Sequence, residues 1–345
     1  MSVAAQTLTG ARREPWINSR NWDLAFVILS AGLVFVTYAL YSSGVERLVV
    51  NMAVTLTVGG PHMFSTYTRT AMEPRFIRRY PLVFFGAITL VPTLVISLGL
   101  LAFTVLLTIF FTLASMHVAE QFSFVAAAYA RKAGQKVTLF SRALDGGVIL
   151  TSLYMPAMYL LTHDRFFIGE KKLLFPTFLQ ADWVWMAFGA FWGLLLLTFL
   201  IKTANEIMSG QLNLPKIMFL AVAISIALYV PTLENLDVAF QGVNAWHSFQ
   251  YLALTWYISR VRHDQKEISL DFVTRLTRKG HFPVFYGFCL ALTVASAAVI
   301  MTLSKILGFP YEQAYYLVVL SFLIVHYAFD HFLFTEFKEI VPEQR

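Results

Sequence analysis

Only one cysteine, Cys289, occurs in 345 residues, and it lies inside an apolar run. That scarcity excludes an internal disulfide, a thiolate-held zinc or iron–sulfur centre, and haem attachment through C-x-x-C-H, so any metal must be held by nitrogen and oxygen. Charge is scarce as well. Charged residues make up 13% against 58% hydrophobic, with a mean hydropathy of +0.64, too little polar surface to cover a soluble globule of this length. Also missing are a G-x-G-x-x-G dinucleotide fingerprint, an internal repeat, a low-complexity tract and a linker. A single transmembrane domain over 1–345 is the simplest organisation. No cleavable signal peptide is evident, because about twenty largely polar residues with Arg12, Arg13 and Arg20 precede the first long apolar run. Residues 1–21 are expected to be a cytoplasmic segment and the first span a retained anchor.

Aromatic residues are plentiful at 16%, with 32 phenylalanines, which suits lipid contact and equally the wall of a cavity for a greasy ligand. The net charge of +6 does not point to nucleic acid, because the basic residues are scattered over loops between apolar runs, as topology signals and anionic-lipid contacts are. Stretches of span length fall near 22–42, 47–68, 80–98, 101–130, 143–161, 182–202, 215–234, 239–260, 283–305 and 311–337. The expectation is an all-α, polytopic integral membrane bundle of about ten transmembrane helices. Alternate loops carry the Arg and Lys excess: Arg69 to Arg79, Arg131 to Arg142, Lys202 with Lys216, and Arg260 to Lys279. The positive-inside rule then makes both termini cytoplasmic. The second and fourth spans hold Asn51, Thr55, His117, Glu120 and Gln121, so they are expected to face protein.

Two connections have content of their own. "DQKEISLDFVTRLTRK", residues 264–279, mixes apolar residues among charges as an amphipathic helix on the inner surface does, and 166–180 reads similarly on the outer side.

Five of the eight histidines lie inside expected spans: His62, His117, His247, His326 and His331. The spans that carry them, second, fourth, eighth and tenth, all run from outside to inside. Counting to the next basic residue puts His117, His247 and His326 within about 3 Å of one depth, with His62 and His331 roughly 10 Å nearer the cytoplasm. Residues three or four apart share a helix face, which gives His117 the neighbours Glu120 and Gln121, His247 the neighbours Gln250 and Tyr251, and His326 the neighbour Asp330. His326 and His331 are five apart, about 140° around the helix, and do not form a pair. A lone intramembrane histidine is commonly an interhelical hydrogen-bonding group. Five on four same-direction helices, each with polar company, point to a metal site with His62, His117, His247, His326 and His331 as candidate ligands. Glu120, Gln121, Gln250, Tyr251 and Asp330 would then orient ligands or act in catalysis. Imidazole suits iron, copper or zinc. More than two histidines favour non-haem iron (Fe2+), with haem b clamped by two of them as the alternative.

The stretch "GGPHMFSTYT", residues 59–68, resembles the start of a motif in the bacterial Brp/Blh family of membrane-embedded carotene dioxygenases. The shared element is Gly59, Pro61 and His62. The resemblance implies iron held by histidines from several transmembrane helices, with His62 among them, cleavage of a carotenoid- or lipid-like substrate, and a place in the bacterial cytoplasmic (inner) membrane. The family's motif continues to an Asp-His pair where this chain has Ser65, Thr66 and Tyr67. The H-x(3–4)-H and H-x-x-H-H boxes of membrane desaturases do not occur. The leading expectation is an oxygenase acting on a long apolar substrate drawn from the bilayer. Without an electron-carrier motif, a dioxygenase fits better than a monooxygenase, which would need an external reductase. The rivals are a haem-b electron-transfer protein, a transporter with a His/Asp relay, and a scaffold without chemistry.

Overall fold

Long runs of Leu, Ala and Phe with few breakers dictate helices, since in hydrocarbon a chain must satisfy its own backbone hydrogen bonds. The computed structural model describes residues 15–135, 137–229, 236–265 and 270–333, and these are almost wholly helical. The first half of the chain forms α1 (Arg20–Ser42), α2 (residues 47–67), α3 (Pro74–Arg79), α4 (Pro81–Leu101), α5 (Phe103–Lys132) and α6 (Leu139–Thr162). The second half forms α7 (Asp182–Met208), α8 (Leu214–Tyr229), α9 (Leu236–Asp264), α10 (Asp271–Leu276), α11 (Phe282–Lys305) and α12 (Tyr311–Leu333). Seven of these, α1, α4, α5, α6, α7, α11 and α12, are long and apolar enough to cross a membrane. Their outer faces are apolar: Leu94, Phe191, Leu197, Leu200 and Val294 are each about half exposed or more, as lipid-facing side chains are. Hydroxyls within these helices fold back onto their own turns, Thr93 onto Thr89 and Ser321 onto Leu317, which keeps them bonded without water.

The remaining long helices are more polar or shorter. α9 packs along α1, and α2 lies against α9, α11 and α12. Two helices are locally unwound where they approach the site. In α1 a π turn at Leu24–Ile28 is followed by a 3-10 turn at Leu29–Ala31, and the Val27 carbonyl accepts from Trp246 Nε1 at 3.1 Å and Gln250 Nε2 at 2.9 Å. In α2 a π turn covers Thr55–Gly59, directly before Gly60 and Pro61. Pro61 has no N–H to give the Thr57 carbonyl, which accepts instead from the Tyr286 hydroxyl at 2.7 Å. Gly60 allows α2 and α11 to touch, since a Cβ there would lie 2.2 Å from Thr293 Cγ2. Such single π turns are recurrent beside functional sites.

The connection at 166–180, whose pattern suits either an amphipathic segment or an interfacial loop, is an ordered loop. It is a hairpin, β1 (Phe167–Ile168) paired antiparallel with β2 (Lys171–Lys172), then a 3-10 turn at Thr177–Gln180. Gly169 reverses the chain at φ +62°, a left-handed conformation that breaks helix. Of 264–279, the helical part is α10, with Val273 and Leu276 buried and Phe272 outside; residues 266–269 lie outside the described residues, as do 1–14 of the N-terminal segment and the end of the tenth expected span. Away from the histidines, Asp145 of α6 binds Lys216 of α8 at 2.5 Å and Lys202 of α7 at 3.5 Å, tying three helices together.

Candidate metal centre

Four histidines converge from four helices: His62 of α2, His117 of α5, His247 of α9 and His326 of α12, each 3% exposed or less. Their rings form a closed square. Centroids are 5.0 Å apart for His62 and His247, 5.1 Å for His247 and His117, 4.8 Å for His117 and His326, and 4.6 Å for His326 and His62. Every edge is near-perpendicular, between 67° and 89°. Asp330, fully buried one turn after His326, brings Oδ2 to 3.8 Å from His117 Nε2 and 3.5 Å from His326 Nδ1. Ligand atoms of His62, His117 and His247 lie within 4.8 Å of one another, and so do those of His117, His326 and Asp330.

Hydrogen bonds on the outer ring nitrogens decide which lone pairs face inward. His62 Nδ1 donates to the Gly59 carbonyl at 2.7 Å, an acceptor only, and lies 3.1 Å from Ser248 Oγ. Its Nε2 is therefore the free lone pair. Thr66 Oγ1 donates to Asp330 Oδ1 at 3.0 Å and is 2.6 Å from His326 Nδ1. Having one proton, already given to the carboxylate, the hydroxyl accepts from His326 Nδ1–H, and Nε2 of that ring is again left as the lone pair. Tyr251 completes the set, donating to Asp330 Oδ1 at 2.6 Å and touching Thr66 Oγ1 at 2.6 Å.

His62 Nε2, His326 Nε2, His247 Nδ1 and Asp330 Oδ2 are buried with no hydrogen bond among the described residues. Orphaned polar atoms in an apolar interior are costly, roughly 1–3 kcal/mol each, and four on one small volume call for a shared partner. The two ligand groups share His117, and a cation in either would take up orphaned atoms. The donor set, neutral imidazole nitrogen with one carboxylate oxygen, fits a divalent transition ion. A porphyrin fits poorly, because it needs an open slot between two axial rings and here each imidazole packs edge-to-face on two others.

Of the expected site residues, the structure brings together His62, His117, His247, His326 and Asp330, with Tyr251 beside them. His331 is not in the group: it is 64% exposed and its Nδ1 is 3.2 Å from Glu120 Oε1, so both residues belong to a surface pair between α12 and α5. Gln121 and Gln250 are buried but serve helix packing. Gln121 Nε2 donates to Gln250 Oε1 at 2.8 Å and to the His247 carbonyl at 3.2 Å, which links α5 to α9 and, through Gln250, to the unwound turn of α1. The depth of His62 also needs correction, since it stands level with the other three and not nearer the cytoplasm. Its ruler, Arg69, is only 3% exposed, so it does not mark the membrane surface. Thr66 and Ser248 were not anticipated. Thr66 lies one turn after His62 on the same face, the very relation that singled out Asp330 beside His326.

The fold and site define a helical membrane protein with a buried histidine–aspartate cluster able to hold a metal ion. No protein family, no curated protein and no solved structure matches the chain.

Proposed function

We propose that the chain is a membrane-embedded non-haem iron oxygenase that acts on a long apolar substrate reached from the bilayer. The observation that carries this reading is the square of four buried imidazoles from four helices, with the Nε2 lone pairs of His62 and His326 left free and Asp330 beside them. His62, His117, His247, His326 and Asp330 would hold the ion, and neutral nitrogen with one carboxylate is a donor set that suits a redox-active iron. Bound there, iron would supply the O2 chemistry of an oxygenase. The chain's own residues hold His62 and His326 in one tautomer through Gly59 and Thr66, keep a proton between Tyr251 Oη and Asp330 Oδ1, and exclude bulk water by burial. The resemblance of Gly59, Pro61 and His62 to the Brp/Blh motif supports the same class and, with it, a carotenoid- or lipid-like substrate in a bacterial inner membrane. In the same proposal α2, α8 and α9 cross the membrane with the seven apolar helices, making ten passes with both termini cytoplasmic, as the basic loops favour.

The test is the metal content of purified protein by mass spectrometry, with visible absorption recorded on the same samples. Near-stoichiometric iron is expected, lost in His117→Ala and His326→Ala and kept in His331→Ala. Oxygen uptake on addition of an apolar polyene should follow the iron. A Soret band, or unchanged metal in both alanine variants, would sink the proposal.

A further inference from the structure

A chamber adjoins the cluster on its hairpin side, running from His62 past α2, α9 and α12 to Ile168 of β1. Its volume of about 60 Å3 compares with roughly 10–15 Å3 for one water on the same measure, so it takes a molecular end group, not a whole long molecule. Met63, Phe110, Phe240 and Leu320 give it apolar walls, and against them stand Asn51, Thr55, Gln241, Asn244 and Tyr315. No Asp, Glu, Lys or Arg among the described residues lines it. Uncharged amides and hydroxyls facing one small space within a helical bundle are an expensive lining unless something is bound there.

Hydrogen-bond accounting shows what that something must offer. Thr55 Oγ1 and Tyr315 Oη satisfy each other at 2.7 Å. Asn51 Oδ1 accepts from Tyr41 at 2.8 Å, and Asn244 Nδ2 donates to Gln241 Oε1 at 3.3 Å. Each acceptor oxygen thus already holds one donor, while Asn51 Nδ2 and Gln241 Nε2 make no hydrogen bond among the described residues. Among the described residues the lining presents N–H donors and no charged side chain, which suits an uncharged oxygen acceptor better than a carboxylate, phosphate or amine. The chamber is also wired to the cluster: Ser248 Oγ donates to Asn244 Oδ1 at 3.4 Å and lies 3.1 Å from His62 Nδ1.

We propose that this chamber is a binding site for the hydroxyl or carbonyl end of a lipid-soluble ligand, held by Asn51 and Gln241. Resting on the oxygenase reading above, it favours oxygenated apolar molecules over plain hydrocarbons as the substrate. The probes are diphenylhexatriene and its hydroxymethyl derivative, titrated into full-length protein in nanodiscs and read by energy transfer from tryptophan. The hydroxymethyl form should bind about tenfold more tightly, the scale of one well-made hydrogen bond in apolar surroundings. In Asn51→Leu/Gln241→Leu the preference should fall to within about twofold. No preference in the wild type, or a preference that survives in the double variant, overturns the assignment; the wild-type comparison decides alone should that variant not fold. Metal content of the same samples separates the two readings. Metal without the preference removes only the chamber's role, and the preference without metal removes only the oxygenase.

Discussion

Thr66→Val is the most discriminating substitution at the centre, because it changes almost no volume and removes one oxygen. That oxygen accepts from His326 Nδ1 at 2.6 Å and donates to Asp330 Oδ1 at 3.0 Å. With valine there, His326 Nδ1–H has left only Asp330 Oδ2 at 3.5 Å, too long for a good bond, so the ring is free to turn and its tautomer is no longer set. Partners that orient a ligand histidine are worth about 10–100-fold in metal affinity. Since Asp330 keeps the Tyr251 hydroxyl at 2.6 Å, the loss should fall near the lower end, about tenfold, or ~1.4 kcal/mol. Thr68→Val is the matched control. Thr68 is 1% exposed and its hydroxyl donates to the Ser65 carbonyl at 2.7 Å, away from the cluster. Both variants should lose about 1 kcal/mol of stability, but only Thr66→Val should lose affinity when Co2+ is competed against a chromophoric chelator. Wild-type affinity in Thr66→Val, or an equal loss in Thr68→Val, would refute the claim that Thr66 sets His326.

The buried ion cluster gives a second test: Asp145→Ala strands Lys216, which is 2% exposed, and should destabilise by about 3–5 kcal/mol in a denaturant titration, most of it recovered by adding Lys216→Met. Gly60→Ala should cost about 1–3 kcal/mol by overpacking α2 on α11, and Thr293→Ala, which removes the atoms at 2.2 and 2.7 Å, should restore part of it in a thermal melt. For topology, the lone Cys289 is fully buried, so cysteines placed at Lys171 and Gln211 are the reactive ones. An impermeant maleimide should label Lys171→Cys from outside the cell and Gln211→Cys only after the membrane is opened; labelling of both from one side would overturn the ten-pass arrangement.

Helix positions were legible because they depend on a property read residue by residue. An apolar run near span length has no other way to satisfy its backbone, so the expected 101–130 and 283–305 lie within a few residues of Phe103–Lys132 and Phe282–Lys305. Which residues share a face was legible too, and it found Asp330. What a polar side chain reaches for was not. The helix periodicity pairs Gln121, Gln250 and Glu120 with the histidine one turn away on their own helix, but a long amide or carboxylate spans the gap to the next helix as easily, and there it meets a carbonyl or an imidazole. The Val27 carbonyl is opened by the π turn of α1, and such turns change the hydrogen-bond register without a residue signature beyond Gly59, Gly60 and Pro61 in α2.

The depth of His62 failed for a different reason, and a more general one. Counting from an arginine measures depth only if the guanidinium sits at the membrane surface, which is the usual case when a helix runs out into a loop. α2 does not run out. It ends at Tyr67, and Thr68, Arg69 and Thr70 are 3% exposed or less before the chain enters α3. The ruler therefore began inside the protein, and the count of seven residues from His62 to Arg69 was read from the wrong zero. A buried arginine beside a carboxylate-bearing site is itself a departure from the positive-inside pattern, so the residue that misplaced His62 is also the one whose burial marks how near the cluster lies.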